Sequence, residues 1–137
     1  MIKQTNSMRL KQGVSIYAMA AFYCFAGLNH FVQPEFYLPL IPDYLPWEVF
    51  VNYASGALEL IIGIGLFFPF SRKAASIALI ILLALFIPSH VHFIVIGSCV
   101  EDGLCVPAWV AWLRLMVIHP LLMYWAYYVS KIKSNGK

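Results

Sequence analysis

Long apolar runs with almost no charge dominate this chain. Residues 14–32 carry no formal charge, 49–70 carry only Glu59, 74–98 carry none, and 106–129 carry only Arg114. About 20 apolar residues in a helix are enough to cross the hydrocarbon core of a bilayer. Each run reaches that length, and a water-soluble fold has no means of hiding so much apolar surface: of 137 residues, 62% are hydrophobic and only 11% charged, against roughly a quarter charged in soluble domains. Membrane strands would alternate polar and apolar over about ten residues, whereas these runs are apolar on every face. The backbone in lipid must satisfy its own hydrogen bonds, so the expectation is an all-α, polytopic membrane four-helix bundle, a single domain over residues 1–137.

The basic residues give this bundle a direction. Lys3, Arg9 and Lys11 precede the first run, Arg72 and Lys73 join the second to the third, and Lys131, Lys133 and Lys137 follow the fourth. The other two connections contain no Lys or Arg, only Glu35, Asp43, Glu48, Glu101 and Asp102. Basic loops stay cytoplasmic, so both termini are expected inside (N-in/C-in), with the connections after the first and third runs outside. The net charge of +3 is accounted for by topology and anionic lipid, and nucleic acid is not an expected partner. The first run is too long for the apolar core of a secretory signal, and no convincing cleavage site follows it.

The first outer connection, residues 33–47, carries Pro34, Pro39, Pro42 and Pro46 among aromatic and aliphatic residues. Repeated prolines block a continuous helix, so the segment reads either as a cap over the bundle's outer mouth or as a loop anchored at the headgroup boundary. Cys99 and Cys105 share the second outer connection, where oxidising surroundings favour a disulfide staple over a catalytic pair, which more often has the spacing Cys-x-x-Cys. Cys24, inside the first run, reads as a small packing residue.

Ionisable groups inside a membrane are costly and by default paired or functional. Glu59 falls near mid-span. Arg114 lies roughly 10 Å below the outer boundary at about 1.5 Å per residue, so a direct or water-mediated ion pair between the two is expected. Asn52, Ser55, Gly56, Glu59 and Gly63 recur at spacings of three and four and form one inward stripe. His90 and His119 lie at depths comparable with Arg114 and Glu59, and His30, beside Asn29, lies nearer the outer surface. These five ionisable residues (His30, Glu59, His90, Arg114, His119) are the candidate polar pocket, although membrane histidines are often only hydrogen-bonded structural residues. His92 points to another helical face. Metal or haem is not expected, because the chain has no His-x-x-x-His pair, no Cys-x-x-Cys-His and no metal-binding cysteine cluster. A phosphate-cradling glycine loop and a G-x-S-x-G turn are likewise missing from the sequence.

The passage Ala26-Gly27-Leu28-Asn29-His30-Phe31, followed by Pro34, Phe36-Tyr37, Pro42 and Tyr44-Leu45-Pro46, resembles the first signature of the DoxX-like membrane family. Ser55-Gly56, Glu59, Gly63, Pro69 and Arg72 are similar to its second-helix pattern, Phe86, Pro88, His90 and Val91 to its third, and Arg114 with Trp125-Ala126 to its last. His119-Pro120 departs from it, since relatives often carry Pro and Gln soon after the arginine. The resemblance implies a four-helix membrane fold in a bacterial cytoplasmic (inner) membrane. In some relatives it implies an association with quinone- or thiol-linked redox systems, and in others an assembly role for membrane receptors. Two functions are therefore expected: a redox accessory binding a quinone or a small sulfur-containing molecule, or a non-enzymatic assembly factor holding a membrane-protein partner or a second copy of itself.

Overall fold

The computed structural model describes residues 2–101 and 103–132, with side chains from Asn6 onward. Lys133, Lys137 and Asp102, together with the side chain of Lys3, enter the topological reading but lie outside the described residues. The described chain is all-helical: α1 (Ile2–Val32), a short α2 (Pro34–Tyr37), a 3-10 turn (Leu38–Leu40), α3 (Glu48–Phe67), α4 (Arg72–Val95), α5 (Ala108–Leu113), a π turn (Arg114–Ile118) and α6 (His119–Lys131). Four helical stretches, Asn6–Val32, Glu48–Phe67, Arg72–Val95 and Ala108–Lys131, are long and apolar enough to cross a membrane.

The expected boundaries need correction at several ends. The second span stops at Phe67 rather than residue 70, and the third runs from Arg72 to Val95 rather than over 74–98. Arg72 is not a free loop cation. It is buried and turns back so that its Nε donates to the Leu66 carbonyl (3.1 Å) and its Nη2 to that of Phe67 (3.5 Å). Those carbonyls belong to the last turn of α3, where a cation satisfies orphan acceptors and opposes the helix dipole. The α3–α4 turn is therefore locked by a charge that also marks the end of the span.

The helices pair as two hairpins. The α1/α3 hairpin is held by small residues: a Cβ placed on Gly27 would sit 2.7 Å from the Gly56 carbonyl oxygen and 2.8 Å from the Leu60 nitrogen. One placed on Gly63 would meet the Cys24 nitrogen at 2.8 Å and the Ala20 carbonyl oxygen at 3.1 Å. The two backbones thus touch directly, as small residues permit in membrane helices. The stripe on α3 is therefore a packing seam, and Cys24 lies within it.

The second hairpin packs α4 against α6. At the end carrying the α3–α4 turn the two hairpins share one core, including Met19, Leu66, Leu79 and Val129, all fully buried. Trp125 there donates to the Ser15 hydroxyl across α6 and α1 (2.8 Å). Elsewhere the outward faces carry large apolar side chains such as Phe25, Ile61 and Ile81, and Tyr44, Trp47, Tyr124 and Tyr127 are exposed near the helix ends. Such an apolar girdle with aromatic rims suits a bilayer.

Candidate functional site

Residues 33–47 close the other end of the bundle. Pro34 starts α2 at a position that tolerates a missing N–H, and the following prolines keep the segment from continuing as one long helix. Leu40, Ile41 and Pro42 are buried, and Leu40 packs in a second small core with Phe93 of α4 and Ala111 of α5. Tyr37 stacks flat on His30 (3.7 Å between ring centroids, 20° between planes), and its hydroxyl accepts from Asn29 Nδ2 (3.0 Å). The segment is thus a roof tied to both hairpins. Beside it, Cys99 and Cys105 are joined by a disulfide across a narrow turn in which Val100 N donates to Leu104 O (3.0 Å).

Between roof and shared core the hairpins enclose a cavity of about 710 Å³, and His30, Glu59, His90, Arg114 and His119 all line it. The expected bond between Glu59 and Arg114 is not there. Among the described residues no carboxylate comes within 4.0 Å of Arg114, and its side chain makes no hydrogen bond. Glu59 instead faces His30, with Oε2 3.7 Å from Nε2, longer than a hydrogen bond. The reason lies on the α1/α3 seam: the close glycine contact brings α1 against α3, so the nearest ionisable neighbour of Glu59 comes from α1, while Arg114 belongs to the other hairpin.

Asn52 fixes the state of His30. Its Nδ2 donates to the His30 carbonyl (3.0 Å), so its Oδ1 is the acceptor facing His30 Nδ1 at 2.7 Å. Nδ1 therefore carries a proton, and Nε2 is the atom turned to the Glu59 carboxyl. Asn52 is 1% exposed and makes both bonds at once, which holds the ring in one orientation under Tyr37.

The second hairpin is arranged around a proline. Pro88 inside α4 has no N–H for the carbonyl one turn back, and its ring crowds the preceding turn. His119 bonds the neighbouring carbonyl in that turn: its Nε2 lies 2.7 Å from the Leu83 carbonyl oxygen, which can only accept, so Nε2 is protonated. The carbonyl that the proline itself deprives of a donor is that of Ala84, so the histidine ties α6 to the turn before Pro88 without filling the proline's own vacancy. His119, expected as a proton-exchanging or ligand-holding group, thus has one nitrogen committed to the fold. His90 packs edge-on against it at 4.6 Å between centroids.

Arg114 and His119 share the cavity because of the π turn. The His119 amide donates to the Arg114 carbonyl, five residues back. Residues five apart lie about 140° apart around a regular α-helix, and a wide turn brings them nearly into line.

Tyr23 also lines the cavity and was not among the sequence candidates. Its hydroxyl and Glu59 Oε2 are buried without a hydrogen-bond partner. The signal was present: Tyr23 stands seven residues, about two turns, before His30 on the same face of α1. Among the described residues no cluster of His, Cys, Asp or Glu could hold a metal ion.

Fold and cavity together define a small helical bundle, with four helices long and apolar enough to cross a membrane and a roofed internal chamber in which Glu59 and Arg114 are not paired with each other. The chain belongs to the family of the domain of unknown function DUF8561, which matches residues 19–130. Comparison with curated proteins and with solved structures gives no match in either.

Proposed function

We propose that this chain binds a small redox-active molecule, a quinone or a sulfur-containing compound, in the roofed cavity, as an accessory to a quinone- or thiol-linked system of a bacterial cytoplasmic membrane. One observation carries the reading: an apolar chamber of ligand size holds two buried polar atoms without a hydrogen-bond partner, Glu59 Oε2 and the Tyr23 hydroxyl, together with the half-buried Arg114 guanidinium, which is in no ion pair among the described residues. Buried polar groups without partners are costly, and a few of them converging in an apolar cavity of roughly 300–1,000 Å³ is the usual form of a small-molecule site. A quinone-type head fits this set, since Arg114 can donate to a ring oxygen while Glu59 and Tyr23 face another polar atom. The link to redox systems rests on the DoxX-like resemblance.

The test is extraction. Protein purified in mild detergent should carry a quinone or sulfur compound at close to one per chain by mass spectrometry, and Arg114→Met or Glu59→Gln should lose most of it while remaining folded. A wild-type protein that carries no such molecule and binds none added would end the proposal.

Orientation belongs to the same reading, with both termini cytoplasmic and the roof outside, on the distribution of basic residues. A cysteine introduced at Asp43 should react with a membrane-impermeant thiol reagent in intact cells, and one at Lys73 should react only after lysis. The opposite pattern would invert the chain in the membrane.

A further inference from the structure

The cavity is largely covered where water would enter and open where lipid would lie. At the roofed end, the buried run Leu40–Ile41–Pro42 and the Tyr37–His30 stack cover the chamber, with Tyr44 and Leu45 lining it at the roof's exposed edge, and at the other end the shared core fills the bundle. The side is different. Phe50 and Leu58 on α3 and Leu85 on α4 line the cavity, yet are 68%, 46% and 66% exposed on the outer surface. Residues of two neighbouring helices that face both the chamber and the surroundings mark a gap in the wall, and these three are all apolar.

Its origin is visible in the helices. α3 and α4 approach closely near their turn, where a Cβ on Gly65 would meet that of Ala75 at 3.1 Å. Farther up, Pro88 interrupts the α4 ladder and lines the cavity beside the gap. Phe22 of α1 and Ile118 of the π turn are also exposed lining residues, but each stands on its helix without an exposed apolar lining partner such as Leu85 is to Leu58, and the Phe22 ring is set edge-on against its neighbour Tyr23 at 5.1 Å.

We infer that the ligand of this cavity is an amphiphile dissolved in the bilayer, which enters sideways through the slit between α3 and α4 and brings its polar head to Glu59, Tyr23 and Arg114. The inference rests on the ligand-binding reading above and narrows it, because a water-soluble sulfur anion would have to pass the apolar side chains of Phe50, Leu58 and Leu85, whereas a quinone with a hydrocarbon tail already resides at the slit.

The experiment uses the full chain in lipid nanodiscs and follows quenching of its tryptophan fluorescence by decyl-benzoquinone, by the same benzoquinone without the chain, and by competing thiosulfate. The decyl compound should bind, the tailless one should bind far more weakly, and thiosulfate should not compete. Leu58→Trp combined with Leu85→Trp should slow association of the decyl compound roughly tenfold, within the span that variants of one site usually cover. Dissociation should slow by a similar factor, since a narrowed passage hinders exit as much as entry, so Kd should hardly move. Damage to the fold would raise Kd instead, and Ile61→Trp, on the outward face of α3 away from the cavity lining, should leave both rates unchanged. Equal binding of the tailless quinone or of thiosulfate would overturn entry from the bilayer even though the cavity binds ligand. Unchanged rates in the double variant would overturn the α3–α4 slit. Absence of binding by every probe would overturn this inference and the proposed function together.

Discussion

Gly27→Ala should be among the most damaging single substitutions in this chain, although it adds only one methyl group. The added carbon would lie 2.7 Å from the Gly56 carbonyl oxygen and 2.8 Å from the Leu60 nitrogen, and both are backbone atoms of α3 that cannot rotate away. Relief requires α1 and α3 to separate along their length. Overpacking a tight contact costs roughly 1–3 kcal/mol, and the upper part of that range applies where no side chain can yield. The separation would also pull His30 from Asn52 and widen the 3.7 Å gap to Glu59, so ligand retention should fall with stability. Unfolding in mixed micelles with increasing SDS reads the first effect, and quinone retained after purification reads the second. Gly13→Ala is the internal control: it lies in the same helix, nothing stands within 4 Å of its added carbon, and its stability should be unchanged or slightly raised. A Gly27→Ala protein as stable as wild type would mean that the α1/α3 backbones do not touch.

The four helices were legible because lipid imposes a simple rule: a span must be apolar for about 20 residues, and its ends are marked by charge. The marks were less exact than the spans. Arg72 and Lys73 read as a connecting loop, but Arg72 is the first residue of α4 and reaches back to the carbonyls that end α3. A cation's sequence position shows that a span ends nearby and leaves open which backbone groups it satisfies.

The site was legible as a set of residues and not as a set of bonds. Cost of burial singles out His30, Glu59, His90, Arg114 and His119, and all five line one cavity. Pairing by depth then joined Glu59 to Arg114, because depth along the membrane is readable from residue count while the distance between helices is not. Glycine decides that distance. Gly27 and Gly56 bring α1 against α3, so His30 reaches Glu59 before Arg114 of the π turn can. The π turn was equally hidden: regular helical geometry puts Arg114 and His119 on different faces, and only the hydrogen bond from the His119 amide to the Arg114 carbonyl shows the wider turn.

His119→Leu should destabilise the bundle, and His119→Gln, which keeps a donor at that position, should lose much less. In the native chain His119 Nε2 donates to Leu83 O at 2.7 Å in the turn that the Pro88 ring crowds, and so ties α6 to α4. Leucine at position 119 fills similar space but offers no donor, so a carbonyl in a site only 3% exposed at His119 loses its partner. Leaving such an acceptor unpaired costs about 1–3 kcal/mol. Glutamine at position 119 can offer its amide N–H to the same carbonyl, so the bond between the two helices of this hairpin survives in that variant. The glutamine variant should therefore lie closer to wild type than the leucine one, by at least about 1 kcal/mol in the ligand-free protein. If His119 acted only on ligand, its replacement by either residue would lower quinone retention without moving the unfolding transition. A difference in stability between leucine and glutamine at position 119 in the ligand-free protein is the result that a purely ligand-facing histidine has no way to produce, because what separates the two there is whether the Leu83 carbonyl keeps the donor from α6.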